Sequence, residues 1–473
     1  MKKEILQPTD DNVRNAFIRN SLGRNQDLLQ FIKLINAMDE SYSIALDSYW
    51  GSGKTFFVKQ IKLIYDTMCE SPFVNVVGKE QIENVWSSIC GNDPLISHIA
   101  IYYDAWENDC DDDPIYSLVY QMALETQNTK GLKERADFSD VLTIAGKITN
   151  AIAGVDPKEI ADSIQKTHFL EALKERKEIQ QRIKEYISKL LPTGYDRLLI
   201  IVDELDRCNP SFAIKLLERI KHYFDNDRVT FLFSVNLAEL QISIRKYYGE
   251  EFNASRYLER FFDMRIPLPP VNNNVFYQLI GQNELGIWNN IAELVIQKNH
   301  LQIRESIKYI SMLKILKTTS FLTEEFGCNF RDNTKIVLYK VVIPIVWGEM
   351  LSNIFLYNRF MNESDYSLLT SFFNDIDSII AVQNSIKYLF AQNEMANYNS
   401  KIHTSEGIQL VHEKIKEFYN ALMSDDNSEI EVGQCLITTS GSIPKVTATR
   451  SEKTLRLLLE ILGMKGSQCC VYF

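Results

Sequence analysis

The stretch Ile44-Ala45-Leu46-Asp47-Ser48-Tyr49-Trp50-Gly51-Ser52-Gly53-Lys54-Thr55 joins an apolar run to a small-residue turn and then to a helical pattern. A strand that empties into a glycine-bearing turn at the head of a helix restricts the chain to α/β folds. In them, backbone N–H groups and a helix N-terminus converge on an anion. Gly51 and Gly53 carry no Cβ, so the backbone can turn its N–H groups toward phosphate oxygens. Lys54 places a point charge against β- and γ-phosphates, the Thr55 hydroxyl is a ligand for Mg2+, and the helix from Phe56 presents its positive end. Trp50, Gly51, Ser52, Gly53, Lys54, Thr55 and Phe56 are therefore the expected contacts of a nucleoside triphosphate. One position departs from the pattern G-x-x-x-x-G-K-[ST]: Ser48 stands where the first glycine belongs, so a serine must make the bend.

A second motif supplies the acid side of the chemistry. Arg197-Leu198-Leu199-Ile200-Ile201-Val202-Asp203-Glu204-Leu205-Asp206-Arg207 reads as a fully buried parallel strand ending in carboxylates, at the sheet edge where ligands sit in open α/β folds. Asp203 is the expected Mg2+ carboxylate, and Glu204 the group that orients and polarises an attacking water. A third apolar run, Val229 to Val235, ends in Asn236. Asn236 either senses the γ-phosphate, with Ser234 in reserve, or simply caps the helix that begins at Leu237.

Composition limits the alternatives. With 473 residues, 45% hydrophobic and 24% charged, the chain is globular and long enough for two or three domains. A net charge of -11 argues against a general nucleic-acid surface. The eight cysteines show neither C-x-x-C spacing nor association with histidine, which fits reduced thiols in a cytoplasmic protein. Met1 to Pro8 contains no apolar signal segment. The runs Leu338 to Tyr357 and Val141 to Val155 are interrupted by charges or proline and read as packed helices rather than membrane spans. The second could also lie as an amphipathic helix on a membrane surface. Cys470 to Phe473 formally matches a prenylation box, but its aromatic third position and the missing polybasic run speak against lipidation.

Along the chain, residues 1–20 read as an arm and Leu28 to Met38 as an amphipathic helix ahead of the first strand. His98 to Tyr103 reads as a further strand, and Asp113-Pro114 as the cap and first position of a helix. Residues 127–191 show no strand pattern, and Glu171 to Leu191 reads as a charged, solvated helix or an inserted hairpin. Met264 to Leu268 is the last strand, closed by Pro269-Pro270. Residues 271–473 read as a helical lid and C-terminal domain, with a loop or small hairpin between Ser424 and Ser451 and a last helix from Glu452 to Leu462.

Four segments together resemble the KAP family of P-loop NTPases: Tyr49 to Thr55, Tyr103-Asp104-Ala105-Trp106-Glu107-Asn108-Asp109, Asp203-Glu204-Leu205-Asp206-Arg207-Cys208, and Tyr257 to Phe262 with Ile266 to Pro270. The resemblance implies an α/β P-loop NTPase of the additional-strand class, with a parallel sheet, a helical insertion and an α-helical C-terminal region. Its core would span residues 21–270. It also implies ATP and Mg2+ as ligands. Members of this family include membrane scaffold proteins and bacterial proteins of antiviral defence. In several, the insertion carries transmembrane helices, which this chain lacks. In that light Arg260, with Arg256 beside it, is the candidate to reach a neighbouring subunit's γ-phosphate, and Arg304 the candidate lid arginine. Arg24 is a further candidate near base or phosphates.

The expectation is a Mg-ATP-dependent switch or assembly ATPase, acting as a homo-oligomer or with operon-encoded partners, in anti-phage defence. Two alternatives are a nucleotide-dependent scaffold with negligible turnover and, less well supported, a nucleic-acid motor.

Overall fold

The computed structural model describes residues 7–90, 97–110, 113–126, 166–191, 195–224, 226–271, 276, 285, 288–318, 332–362, 365–422 and 429–438. The chain divides into two compact units, the first ending at Val271 and the second beginning at Asn272.

The first unit is built on five strands, β1 Ser43–Asp47, β2 His98–Asp104, β3 Arg197–Asp203, β4 Val229–Val235 and β5 Met264–Pro267. They lie in the order β2-β3-β4-β1-β5, and every neighbouring pair is parallel. Continuous apolar runs make this possible, because β3 and β4 are buried at every position and have helices on both faces. The register pairs Ala45 with Phe233, Ile201 with Leu232 and Asp104 with Asp203. Strand β4 thus stands between the glycine-loop strand β1 and the acidic strand β3, which makes it the additional strand of the P-loop class.

Strand alternation sorts the side chains into two cores. On one face Ile44, Leu46, Ala100, Leu199, Ile201 and Leu232 pack against α1 Asp10–Ile18, α2 Asn25–Asn36, α3 Lys54–Met68 and α4 Lys79–Cys90. On the other, Ala45, Ile101, Tyr103, Ile200, Val202 and Phe233 meet α5 Pro114–Thr126, α6 Lys166–Leu190, α7 Pro210–Tyr223, α8 Leu237–Tyr248 and α9 Ala254–Leu258. The helix starts follow local chemistry. Asp113 accepts from the Ile115 N–H (2.9 Å) ahead of α5, and Asn209 caps α7 with Pro210 in its first turn.

Two expectations change. The supposed arm contains α1, whose Thr9 cap and buried Val13 and Phe17 make it part of the core. The charged helix of the insertion is more than a solvated face: Lys177, Gln181 and Glu185 are exposed, but another side of it is packed. Ile179, Ile183, Tyr186, Ile187 and Leu190 form a buried stripe on α6, and the charges occupy the remaining faces.

The second unit is helical and has its own core, centred on Trp288, Val295, Tyr309, Val346, Phe373 and Phe418. The run Leu338 to Tyr357 is not one helix. A π turn at Leu338–Val342 leads into Ile343–Ser352, which carries Pro344 in its first turn, and Asn353 (φ −142°) ends it. Pro344 has no N–H to donate, so a wide turn before it leaves no donor mismatched. Among the described residues no helix is long and apolar enough to cross a membrane. Strands β6 Glu429–Val432 and β7 Cys435–Thr438 form an antiparallel hairpin. Val141 to Val155, Glu452 to Leu462 and the cysteines at 469 and 470 lie outside the described residues.

Candidate nucleotide site

Strand β1 delivers the loop Ser48 to Gly53 to the carboxyl edge of the sheet, and α3 begins at Lys54, two residues ahead of Phe56. Gly51 and Gly53 take φ of 84° and 88°, backbone that side chains rarely adopt, so both glycines are required by the turn. Ser48 shows no positive φ; its N–H donates to the Val235 carbonyl (3.2 Å), continuing the β1–β4 ladder. A serine is therefore compatible with this loop, because the bend falls at Gly51 and Gly53 instead. Phe56 is half-buried in the first turn of α3.

Lys54 is buried and folds back on its own loop, its Nζ donating to the Ser48 and Tyr49 carbonyls. Burial lowers its pKa, and four carboxylates oppose that shift: Asp206, Asp203, Glu204 and Asp47. Arg24, just ahead of α2, is almost fully buried and donates from Nη1 to the Ser52 carbonyl (3.0 Å). Desolvation brings its pKa down to about 10, with Asp27 opposing. The position of Arg24 under the loop is what the sequence left open.

The acidic box enters from β3. Asp203 is 1% exposed. Its Oδ2 accepts from the Tyr102 hydroxyl (3.0 Å) and its Oδ1 from the Glu204 N–H (3.0 Å). Burial, reinforced by Asp203 and Asp104, raises the Tyr102 pKa far above the ordinary phenol value, so the group donates throughout the working pH range. Glu204 has left-handed backbone (φ 60°, ψ 22°), a strained conformation that aims its side chain back at the loop. Its Oε1 lies 3.5 Å from the Thr55 hydroxyl, and its Oε2 is ion-paired with Arg207 Nε. Desolvation and then the charge of Asp203 push the Glu204 pKa up to about 7, against the pull of Arg207. The Arg207 guanidinium also lies 5.4 Å from the ring centroid of Trp106, which is 52% exposed.

Lys54, Thr55, Asp203 and Glu204 are thus brought together. Trp50 is close too, but its indole N–H is committed to Asp206 Oδ2. Asn236 caps α8, accepting from the Glu239 N–H (3.4 Å), which is the simpler of its two expected roles. Ser234 is fully buried beside Asp203 in register, and its hydroxyl makes no hydrogen bond. Arg260 and Arg256 are exposed and precede β5. Because the Asp263 N–H bonds the Ser43 carbonyl, they sit near the amino edge of β1, roughly 15 Å along the strand from the loop. Arg304 is an exposed residue of the second unit.

Sequence reasoning missed Tyr102 and gave no role to Asp206 or Arg207. Tyr102 had a signal: it is a hydroxyl in an apolar strand, on the same face as Asp104 and so beside Asp203 once β2 pairs with β3.

The Thr55 hydroxyl and the Asp203 carboxylate are hard oxygen donors on facing elements, in a site with more carboxylates than cations, and this donor set fits Mg2+. The parallel sheet with its glycine loop and added central strand is the P-loop NTPase fold of the additional-strand class. Residues 24–331 match the family described as KAP family P-loop domain, and the chain belongs to that family. No curated protein matches the chain.

Proposed function

We propose that this chain is a Mg-ATP-dependent ATPase that works as a switch or assembly factor and turns over slowly at rest. The convergence of Lys54, Thr55, Asp203 and Glu204 at one end of β1 and β3 carries this reading. Bound Mg2+, held by Thr55 and Asp203, would neutralise charge on the β- and γ-phosphates. Lys54 would turn N–H donors from its loop carbonyls toward phosphate oxygens. Glu204, with a pKa pushed up to about 7, is suited to take a proton from water near neutral pH.

The Arg207 ion pair favours slow turnover, because the proposed base is engaged before any substrate arrives. That same contact supports the scaffold alternative, in which ATP is a structural ligand. Arg260 lies too far along β1 to serve its own loop, so a role for it requires a second copy of the chain. Partner proteins and a setting in antiviral defence rest on family resemblance.

Lys54→Ala should abolish nucleotide binding, whereas Glu204→Gln should keep binding and stop hydrolysis, read by calorimetry and phosphate release. Equal hydrolysis by wild type and Glu204→Gln would remove Glu204 from the mechanism. Tight binding without turnover in the wild type would leave the scaffold.

A further inference from the structure

The phosphate loop has three side-chain fastenings, and they are not equivalent. Lys54 bonds the Ser48 and Tyr49 carbonyls, Arg24 bonds the Ser52 carbonyl, and Trp50 bonds Asp206. The first weakens when the ammonium also serves phosphates, because its three N–H donors are then shared between carbonyls and phosphate oxygens. The entry of the loop then depends on Trp50, the residue directly before the pliable Gly51.

The Trp50–Asp206 contact is unusual on both sides. The indole is 45% exposed, so its N–H could be satisfied by solvent, yet it reaches a carboxylate that is 5% exposed. The other carboxylate oxygen, Oδ1, is buried and makes no hydrogen bond. Burial raises the Asp206 pKa, and the Lys54 charge, the Trp50 indole and the backbone N–H groups of Asp206 and Asn236 oppose the shift in that order. Asp206 has a mechanical advantage: it shares the single 3-10 turn Leu205–Arg207, directly after Asp203 and Glu204. A displacement of the acidic box is therefore carried to the loop through one side-chain pair.

We propose that Asp206 is a positioning residue: through Trp50 it straps the phosphate loop to the acidic box and holds the loop open to the phosphates of a nucleoside triphosphate when Lys54 turns donors toward them. This rests on the nucleotide-binding reading above. Two effects of Asp206 oppose each other. Its acceptor oxygen orders the loop and strengthens binding, while its negative charge beside Lys54 weakens it. Substitutions separate the two.

The test is calorimetric titration of the full chain with ADP and Mg2+, with melting curves to confirm that each variant is folded. Trp50→Phe removes the donor and keeps a ring, and should weaken ADP binding about tenfold, the worth of one hydrogen bond to a charged acceptor. Asp206→Ala loses the strap and the opposing charge together and should weaken binding less than Trp50→Phe does, and the double variant should match Asp206→Ala, since both changes delete the same strap. Asp206→Asn, whose amide oxygen still accepts the indole N–H, should recover the affinity that Asp206→Ala loses. Wild-type affinity in Trp50→Phe, or additive losses in the double variant, would overturn the strap while leaving nucleotide binding intact. If the wild type does not bind ADP, or Lys54→Ala binds it equally well, the nucleotide reading falls and the strap with it.

Discussion

Replacing Tyr102 by phenylalanine deletes a single oxygen, and the structure says what that oxygen does. The ring would keep its place beneath the Lys59 ammonium, 4.6 Å from the centroid. Asp203, 1% exposed, would keep only the Glu204 N–H at 3.0 Å. A hydrogen bond to a charged group contributes about 1.5–3 kcal/mol, and leaving the carboxylate oxygen unpaired forfeits that stabilisation. At about 2–4 °C per kcal/mol, the nucleotide-free variant should melt roughly 3–12 °C below wild type. The metal effect is separable. Partners that orient a ligating carboxylate typically change metal affinity about 10–100-fold. The Mg2+ concentration that half-saturates the enhancement of ADP binding should therefore rise at least about tenfold, with the weak metal-free affinity unchanged. Scanning fluorimetry gives the first number, and ADP titrations across a Mg2+ series the second. If the melting point and the Mg2+ midpoint both stay at wild-type values, the Tyr102 hydroxyl does not set the Asp203 carboxylate.

Arg207→Ala frees Glu204 from a part-exposed ion pair worth about 0.2–1 kcal/mol. If Arg207 restrains the base, kcat for ATP should rise up to about fivefold with ADP affinity unchanged; a fall in kcat would show that Arg207 assists the reaction instead. Gly433→Ala tests the hairpin of the second unit. Gly433 has φ 62°, and an added Cβ would lie 2.2 Å from the Leu389 carbonyl oxygen, an immovable backbone atom. The substitution should destabilise that unit by more than about 1 kcal/mol, visible as a lower melting transition. An unchanged melting profile would contradict this docking of the hairpin.

What could be read from the sequence was whatever a short segment decides alone. Leu198 to Val202 is apolar at five successive positions, so it had to be a two-sided buried strand, and the acids that follow had to fall at its carboxyl edge. The glycine loop is equally local. Helix α6 was misjudged because its Lys, Arg and Glu residues outnumber the Ile179, Ile183 and Ile187 spacing that decides its packing. Helix α1 was misjudged because only two of its residues, Val13 and Phe17, are buried, too short a pattern to separate a docked helix from an arm. Ser48 looked irregular only because the pattern asks for glycine; the backbone does not need one there. Contacts such as Tyr102–Asp203 and Trp50–Asp206 join residues 101 and 156 positions apart. They depend on strand register and on the path of a 3-10 turn, neither of which a single segment contains.

The groups expected to serve a nucleotide already have partners within the chain. Lys54 is on its own carbonyls, Glu204 on Arg207 and Thr55, Asp203 on Tyr102 and the Glu204 N–H, and Asp206 on Trp50. Binding is therefore an exchange of partners, and each exchange must leave no buried charge uncompensated. One ammonium faces four carboxylates in this site. A polyphosphate added to that balance by itself would raise an already negative potential, whereas a nucleotide carrying a divalent cation would bring charge for both sides: phosphate for Lys54, metal for Asp203. Lys54 could then share its three N–H donors between carbonyls and phosphate, and more of the hold on the loop would fall to Arg24 on Ser52 and Trp50 on Asp206. Metal, lysine and loop would then be coupled, since the pull of phosphate on Lys54 would depend on the charge that a metal supplied at Asp203.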